Sequence, residues 1–328
     1  MTLVLHIGFS RTGSTFFQTE MLDRFDMEVQ SPAFLDRKMI NFLNDKVIMP
    51  GRNSLVQPLT SEEINEFKSL RKSSNTFISS EGLIGDAFNN MLPLYYNLDL
   101  MKALDSDIKI IIFIRAQHKL LASYYNYAVQ EGYYAGIEKF LNYHNKDFQS
   151  FNSLRYNNSN VEIQSLDFYE LLISVRKLFG PEKVLMLPIE MLRNDTEAFI
   201  RRLEIFCGAA FNRNGFDPGI KNIGMNSAQI YFLRIVNRIS DTKLFGLRVF
   251  PKANERIKFN FFGSRLSFFE RAFNKIIDRK FMVKLVVFWG RGSFSINKSF
   301  KNKIKNKLKE SNLKLSKEIK CNLVEYDY

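Results

Sequence analysis

The chain has little cysteine and no long apolar run, and each shortage removes a class of protein. Two cysteines, Cys207 and Cys321, occur in 328 residues, and neither has a neighbouring Cys or His at metal-ligand spacing. These counts argue against a disulfide framework and against a structural zinc site. The resulting expectation is a protein of a reducing compartment, cytoplasmic, with no metal. No stretch approaches the ~18 consecutive apolar residues that a membrane-spanning helix needs. The first apolar run, Leu3 to Ile7, is too short for the core of a secretory leader, and no basic segment precedes it. Internal repeats and low-complexity tracts are missing as well. The Lys- and Asn-rich run Phe300 to Lys309 reads as a solvated helix face.

Against these shortages stands a hydrophobic content of 45%, enough for a substantial core in one large α/β domain with excursions or in two modest ones. Charge is placed unevenly. Residues 221 to 328 hold 24 Lys+Arg against 8 Asp+Glu, a balance of +16, so residues 1 to 220 sum to −3 of the total of +13. A basic C-terminal third suits an anionic cofactor, an anionic glycan or lipid surface, or nucleic acid.

The most informative stretch is the first. Leu3, Val4, Leu5 and Ile7 form a β-favouring run, a glycine-bounded loop follows, and a helix-compatible segment comes next. Backbone N–H groups of such a loop and of the first helical turn have no internal partners, so they form a ready site for a phosphate-like anion. The spacing Gly8-Phe9-Ser10-Arg11-Thr12-Gly13-Ser14-Thr15 is G-x-x-x-x-G followed by Ser-Thr, one residue from the nucleotide-binding loop G-x-x-x-x-G-K-[ST]. The lysine is missing. Ser14 fills its slot, and the cation stands inside the loop at Arg11, where its fork can grip an anion bidentately. The loop is built for a phosphorylated ligand and departs from magnesium-assisted γ-phosphate chemistry.

A second signal is the β-branched run Asp107 to Arg115, of the kind found in strands buried on both faces of a parallel sheet. Arg115 ends it, where ligand-binding residues of open α/β sheets lie, and where a nucleotide triphosphatase would offer an acidic metal partner. Ser123 follows eight residues later in the helical stretch Gln117 to Gln130.

These elements resemble sulfotransferases that use PAPS (3′-phosphoadenosine 5′-phosphosulfate). Arg11-Thr12-Gly13-Ser14-Thr15 is similar to their 5′-phosphosulfate loop, with Arg for Lys, as in some carbohydrate sulfotransferases, and with Ser for Thr. Arg115 and Ser123 are similar to the R-x-x-x-x-x-x-x-S element that holds the 3′-phosphate. The resemblance continues through the helix Leu166 to Phe179, the strand Lys183 to Leu187, the run Pro188-Ile189-Glu190-Met191-Leu192, the run Phe206-Cys207-Gly208 and the closing helix from Lys309 towards Tyr328. It covers residues 1 to about 210 and about 290 to 328. It implies PAPS as sulfuryl donor, no metal, and a carbohydrate or glycolipid hydroxyl as acceptor. Arg291, in Arg291-Gly292-Ser293, is by the same resemblance a further 3′-phosphate contact.

Sulfuryl transfer to an alcohol needs an anion cradle, a base for the hydroxyl proton and cations to stabilise the leaving oxygen. Arg11, Thr12, Gly13, Ser14 and Thr15 supply the cradle, with Arg11 also placed to stabilise the leaving oxygen. Glu81, after the strand-like run Asn75 to Ser79, is the candidate base; Ser80-Glu81 also describes an ordinary helix start. His6 is the rival base, with His118 and His144 behind it. The fold expected is a P-loop-like three-layer α/β domain over residues 1 to 328, a central parallel sheet flanked by helices with a helical, basic C-terminal region. Residues 220 to 289 are expected to form a helical insertion or acceptor-side subdomain, rich in aromatic and basic residues, with a peripheral contact to an anionic membrane surface. Two alternatives stay open: a P-loop kinase, and a non-enzymatic nucleotide- or nucleic-acid-binding module, although nucleic acid is the less expected partner. The oligomeric state is not legible in the sequence.

Overall fold

The computed structural model describes residues 2–31, 38–52, 57–71, 75–85, 93–105, 107–150, 161–219, 224–241, 243–244, 247–248 and 293–328. Five parallel strands form the central sheet: β1 (Thr2–His6), β2 (Glu28–Gln30), β3 (Asn75–Ser79), β4 (Ile108–Ile114) and β5 (Val184–Pro188), in the order β2-β3-β1-β4-β5. Four of the five stand where the sequence places them. β2 does not, because the segment from Met27 reads as short helices and loops. Three residues at a sheet edge are too few to set up an alternation, and Glu28 and Gln30 carry no strand preference.

Alternation along the strands divides the core into two layers. Leu3, Leu5, Ile78, Ile110, Ile112, Val184 and Met186 face one side. Val4, Phe77, Ile111, Phe113 and Leu187 face the other. The first side is covered by α3 (Leu94–Leu104), α4 (Gln117–Gln130), α5 (Phe168–Phe179) and α8 (Lys298–Glu318). The second is covered by the helical stretch α1, which runs from Ser14–Phe16 through a π-helical turn Phe17–Met21, and by α6 (Thr196–Cys207). This is the three-layer arrangement expected. Between β2 and β3, α2 (Ser61–Leu70) starts with a reciprocal capping box in which Thr60 and Glu63 satisfy each other's backbone N–H groups.

Of the stretch 220 to 289, the structure describes residues 224–241, which hold α7 (Ser227–Asp241), and a two-residue antiparallel pairing of Lys243–Leu244 with Leu247–Arg248. The rest of that stretch, and Arg291, lie outside the described residues. α7 packs on α4, with Asn237 donating to the carbonyls of Val129 (2.7 Å) and Tyr133 (3.1 Å). Both cysteines are free. Among the described residues no helix is long and apolar enough to cross a membrane.

The long lysine-rich helix α8 is held to α4 and to the C-terminal segment by polar contacts as well as apolar ones. Gln117 and Asn312 are buried and exchange amide hydrogen bonds of 2.7 and 3.2 Å. At its other end Asp327 accepts from Lys301 (2.6 Å) and Lys305 (2.9 Å) and touches His118 Nε2 at 3.2 Å. Burial pushes the Asp327 carboxyl up, but the two lysine hydrogen bonds outweigh it and leave it at about 2. Burial drives His118 down to about 4 against the pull of Asp327, so at neutral pH the ring that makes this contact is uncharged.

The amide pair generates a stability prediction. Asn312→Ala leaves the buried Gln117 amide without its partner and is expected to cost about 1 to 3 kcal/mol. The double variant Gln117→Leu with Asn312→Leu removes both polar groups and should cost less than Asn312→Ala alone. Urea unfolding of the three proteins checks this, and equal losses would show that the pair is not the fastening.

Candidate active site

The sheet brings three chain segments to one edge. β1 ends at His6 and enters the glycine loop, β3 ends at Ser79 and enters a short 3₁₀ turn, Glu81–Ile84, and β4 ends at Ile114 just before Arg115. His6 pairs in register with Ser79 on one side and Ile111 on the other. The ladders run one step further through Ser80 N–H to the His6 carbonyl and Ile7 N–H to the Ile111 carbonyl, both 3.0 Å. The loop and the Glu81 turn therefore leave the sheet at the same level, whereas β4 runs three residues further, to Ile114, before it reaches Arg115.

The loop from Gly8 to Gly13 is fastened from inside. Thr12, fully buried, donates both its hydroxyl (2.5 Å) and its N–H (3.3 Å) to the Phe9 carbonyl, and the buried Ser14 hydroxyl reaches the same carbonyl at 3.2 Å. Gly13 sits at φ 84°, and a side-chain carbon there would lie 3.0 Å from Ile189. Arg11 is also left-handed, at φ 69°, a conformation that non-glycine residues adopt at a cost of order 1 kcal/mol or more. The helix ladder starts with Phe17 N–H to the Gly13 carbonyl at 2.9 Å, so the N–H groups of the preceding turn face the loop and carry the positive end of the helix dipole. Thr15 and Arg11 are exposed at its mouth.

Two cations meet at the loop. Arg115, half-buried, donates from Nη1 to the Arg11 carbonyl at 3.1 Å, supporting the strained residue from behind. The Arg11 guanidinium lies over the Tyr127 ring, 4.8 Å from its centroid. Tyr127 stands four residues after Ser123 on α4, so both belong to one helix face, and that face is turned to the loop. Burial works against the charge on Arg115, Glu190 supports it and Arg193 opposes it. Glu190 is itself fixed by the Ala116 N–H at 3.1 Å and the Tyr328 hydroxyl at 3.4 Å. Among the described residues no group of His, Cys, Asp or Glu is arranged to hold a metal ion.

The two candidate bases have opposite surroundings. Glu81 is half-buried at the start of its turn. Burial pushes its carboxyl up, and the Ser14 hydroxyl and the Arg11 guanidinium pull it back only in part. His6 is fully buried. Its ring is wedged between Phe17 (4.8 Å) and Phe113 (4.5 Å), and Nδ1 lies 2.8 Å from the Ser79 hydroxyl, which also accepts from Gln18 at 3.0 Å. Burial drives the imidazole down to about 3, so the ring is neutral at physiological pH. Nε2 faces Gly8, where an added side-chain carbon would stand 2.5 Å from it. His118 is engaged by Asp327, and His144 lies on the exposed two-residue hairpin pairing Tyr143–His144 with Asp147–Phe148.

The structure thus brings Arg11, Thr12, Gly13, Ser14, Glu81 and Arg115 together, with Thr15 at the mouth and Ser123 on the facing helix. Tyr127 and Gln18 were not read from the sequence as part of the site. The four-residue step from Ser123 to Tyr127 was the available signal for the first. Nothing local marks Gln18, whose partner Ser79 is 61 residues away.

The His6 contact explains why Gly8 must lack a side chain. Gly8→Ala is expected to cost about 1 to 3 kcal/mol by overpacking, and to cost clearly less when made on a His6→Ala background. Chemical denaturation of the two single variants and the double variant measures that coupling. An equal cost on both backgrounds would place the clash elsewhere.

A family model described as "Sulfotransferase domain" matches residues 2–229. Among solved structures, a sulfotransferase from Alicyclobacillus acidocaldarius aligns at 12% identity over 99% of this chain and 98% of its own, with a TM-score of 0.51. That likeness shows the fold. The sulfotransferase domain of the Synechococcus PCC 7002 olefin synthase aligns at 15% identity over 81% of this chain and 96% of its own, with a TM-score of 0.34, too low to carry an argument. No curated protein matches the chain. The family match spans more than two thirds of the sequence and takes in the loop, the Glu81 turn, Arg115 and the flanking strands, and on that ground the chain belongs to the sulfotransferase domain family.

Proposed function

We propose that the protein transfers a sulfuryl group from PAPS to a hydroxyl of a carbohydrate or glycolipid acceptor, without a metal. The observation that carries this reading is the convergence of Arg11, Arg115 and Glu81 on one loop: two cations for an anionic donor, and one carboxylate held above its ordinary range. When bound, PAPS supplies the sulfuryl group and a bisphosphate leaving group. The loop fits such a ligand because it offers backbone N–H groups at a helix start and a cradle that a side chain at Gly13 would fill against Ile189.

In this reading the N–H groups from Gly13 to Thr15 and the Thr15 hydroxyl hold the 5′-side oxygens. Arg11 stabilises charge on the leaving oxygen, and Arg115 and Ser123 recognise the 3′-phosphate. Glu81 takes the acceptor proton. Its raised affinity for that proton makes it a better base at neutral pH than an ordinary carboxylate. His6, neutral and enclosed by phenylalanine rings, is the weaker candidate for that role, because a proton on its ring would be buried without a counter-charge. The acceptor class rests on the likeness of the Arg11 loop to some carbohydrate sulfotransferases and of the Glu190 run to bacterial sulfotransferases that modify such substrates. The anionic-surface contact proposed for residues 220 to 289 rests on composition.

The donor assignment is tested by calorimetry with adenosine 3′,5′-bisphosphate in EDTA. Binding should persist without metal and weaken when AMP replaces the bisphosphate. Arg115→Ala removes the charge and the fork together. It should weaken the bisphosphate by roughly 2 to 4 kcal/mol, the scale for a buried charged partner, and weaken AMP much less. Equal affinity for both ligands in the wild type would end the 3′-phosphate assignment.

The base assignment makes a second prediction. Glu81→Gln should slow sulfate transfer from labelled PAPS to a panel of oligosaccharides by ~10² to 10⁴ while leaving bisphosphate affinity intact. Because a base works deprotonated and burial raises Glu81, the wild-type rate should climb with pH through a midpoint above the ~4.3 of an ordinary glutamate, and the Gln variant should lack that limb. A helix-start role would instead lower stability by ~1 kcal/mol or less with turnover unchanged.

A further inference from the structure

We infer that Asn97 is a positioning residue, holding the turn that presents Glu81 to the loop; this rests on the reading of Glu81 as the base. α3 buries the stripe Leu94, Leu98, Met101 and Leu104, each 1% exposed or less, on the i, i+4, i+7 pattern of a core-facing helix. Asn97 lies in the same stripe and is itself fully buried. A leucine would suit that position, and an amide there is unfavourable unless hydrogen-bonded.

Its hydrogen bonds go to one place. Asn97 Nδ2 donates to the Leu83 carbonyl at 3.0 Å and to the Gly82 carbonyl at 3.4 Å, the two residues that follow Glu81. On the other side of Glu81, Ser80 is tied to the His6 carbonyl at the end of the β-ladder. Glu81 is therefore the one residue between two anchored peptides, and the direction in which its carboxylate leaves the backbone follows from both. Gly82 presses on Ile48, whose Cδ1 would lie 2.8 Å from an added carbon, so the turn is also backed by apolar packing. The Asn97 Oδ1 atom has no hydrogen-bond partner among the described residues, which leaves the donated side of the amide as its visible contribution.

Positioning and packing roles separate in a titration. Protein labelled with ¹³C at the glutamate carboxyl carbon, with Glu81→Gln to assign the resonance, gives the Glu81 midpoint by NMR. Asn97→Leu keeps the branched shape and removes the donors. It is expected to move that midpoint down towards an ordinary glutamate, since burial is the largest influence holding it up. It should also slow PAPS turnover by about tenfold or more, the scale of a small misplacement at a reacting centre, with bisphosphate affinity unchanged. An unmoved midpoint together with unchanged turnover, whatever the melting temperature, would overturn the inference. If Asn97→Leu does not fold, Asn97→Ser retains one donor and should shift the midpoint part of the way; no shift there overturns it equally. The two readings fail separately. Intact turnover in Glu81→Gln removes the base assignment, whereas the Glu81 midpoint in the Asn97 variants still decides the positioning.

Discussion

The site depends on the parallel register of β1 between β3 and β4. Because all three strands run the same way and pair level at His6, Ser79 and Ile111, their outgoing loops open on one edge, where α/β sheets place their ligands. That register is set by burial. A slip of one residue would carry Val4 and Phe113 from the face shared with Phe17 and Phe199 to the face under α3 and α4, exchanging two packed layers. It would also displace the glycine loop from Glu81 and Arg115 by about 3.3 Å, the rise of a strand residue. The apolar alternation of the sheet and the geometry of the polar site are thus one specification.

Electrostatics at this edge are asymmetric. Arg115 supports the Arg11 backbone while its charge is opposed by burial and by Arg193, and Glu190 compensates. Glu190 is held in turn by Ala116 and Tyr328, and Tyr328 follows Asp327, which is fixed by Lys301 and Lys305 of α8. The lysine-rich helix read as a solvated face in the sequence therefore has a structural inner edge: two of its lysines fasten the segment whose tyrosine steadies the counter-ion of Arg115. This chain of contacts connects the basic C-terminal region to Arg115 at the glycine loop.

Much of this was legible because strong local signals coincide with tertiary roles. The run Leu3 to Ile7 followed by G-x-x-x-x-G, and the run Ile108 to Ile114 ending at Arg115, each combine strand preference with a residue type needed where the strand stops. Thr60 and Glu63, three residues apart, carry the capping chemistry that starts α2 within the local sequence. The less legible features depend on partners distant in sequence. β2 exists because β3 offers it an edge. The burial of His6 depends on Phe17 and Phe113 closing over it, and the same imidazole in an open loop would titrate near its ordinary value. Asn97 reads as an ordinary helix polar residue until the fold puts the Gly82 and Leu83 carbonyls opposite it.

The departures from local preference gather at the loop, as expected where function competes with stability. Arg11 holds a left-handed backbone, Glu81 carries a carboxyl that burial disfavours in its charged form, and His6 keeps Nε2 against Gly8 without a hydrogen-bond partner among the described residues. The ring cluster of His6, Phe17, Phe77, Phe113 and Phe199 beneath the loop offsets such costs, since aromatic burial is among the larger contributions to a core. The cluster also supplies stiffness. Gly8, where the loop leaves β1, abuts the His6 ring of this cluster, and Arg11 is held by Arg115 and the Tyr127 ring, so on the proposed reading the charged groups of the loop are set in place before any anion arrives. Preorganisation of this kind moves the cost of orienting charge from binding to folding, and it accounts for a site that combines backbone strain with a tightly packed floor.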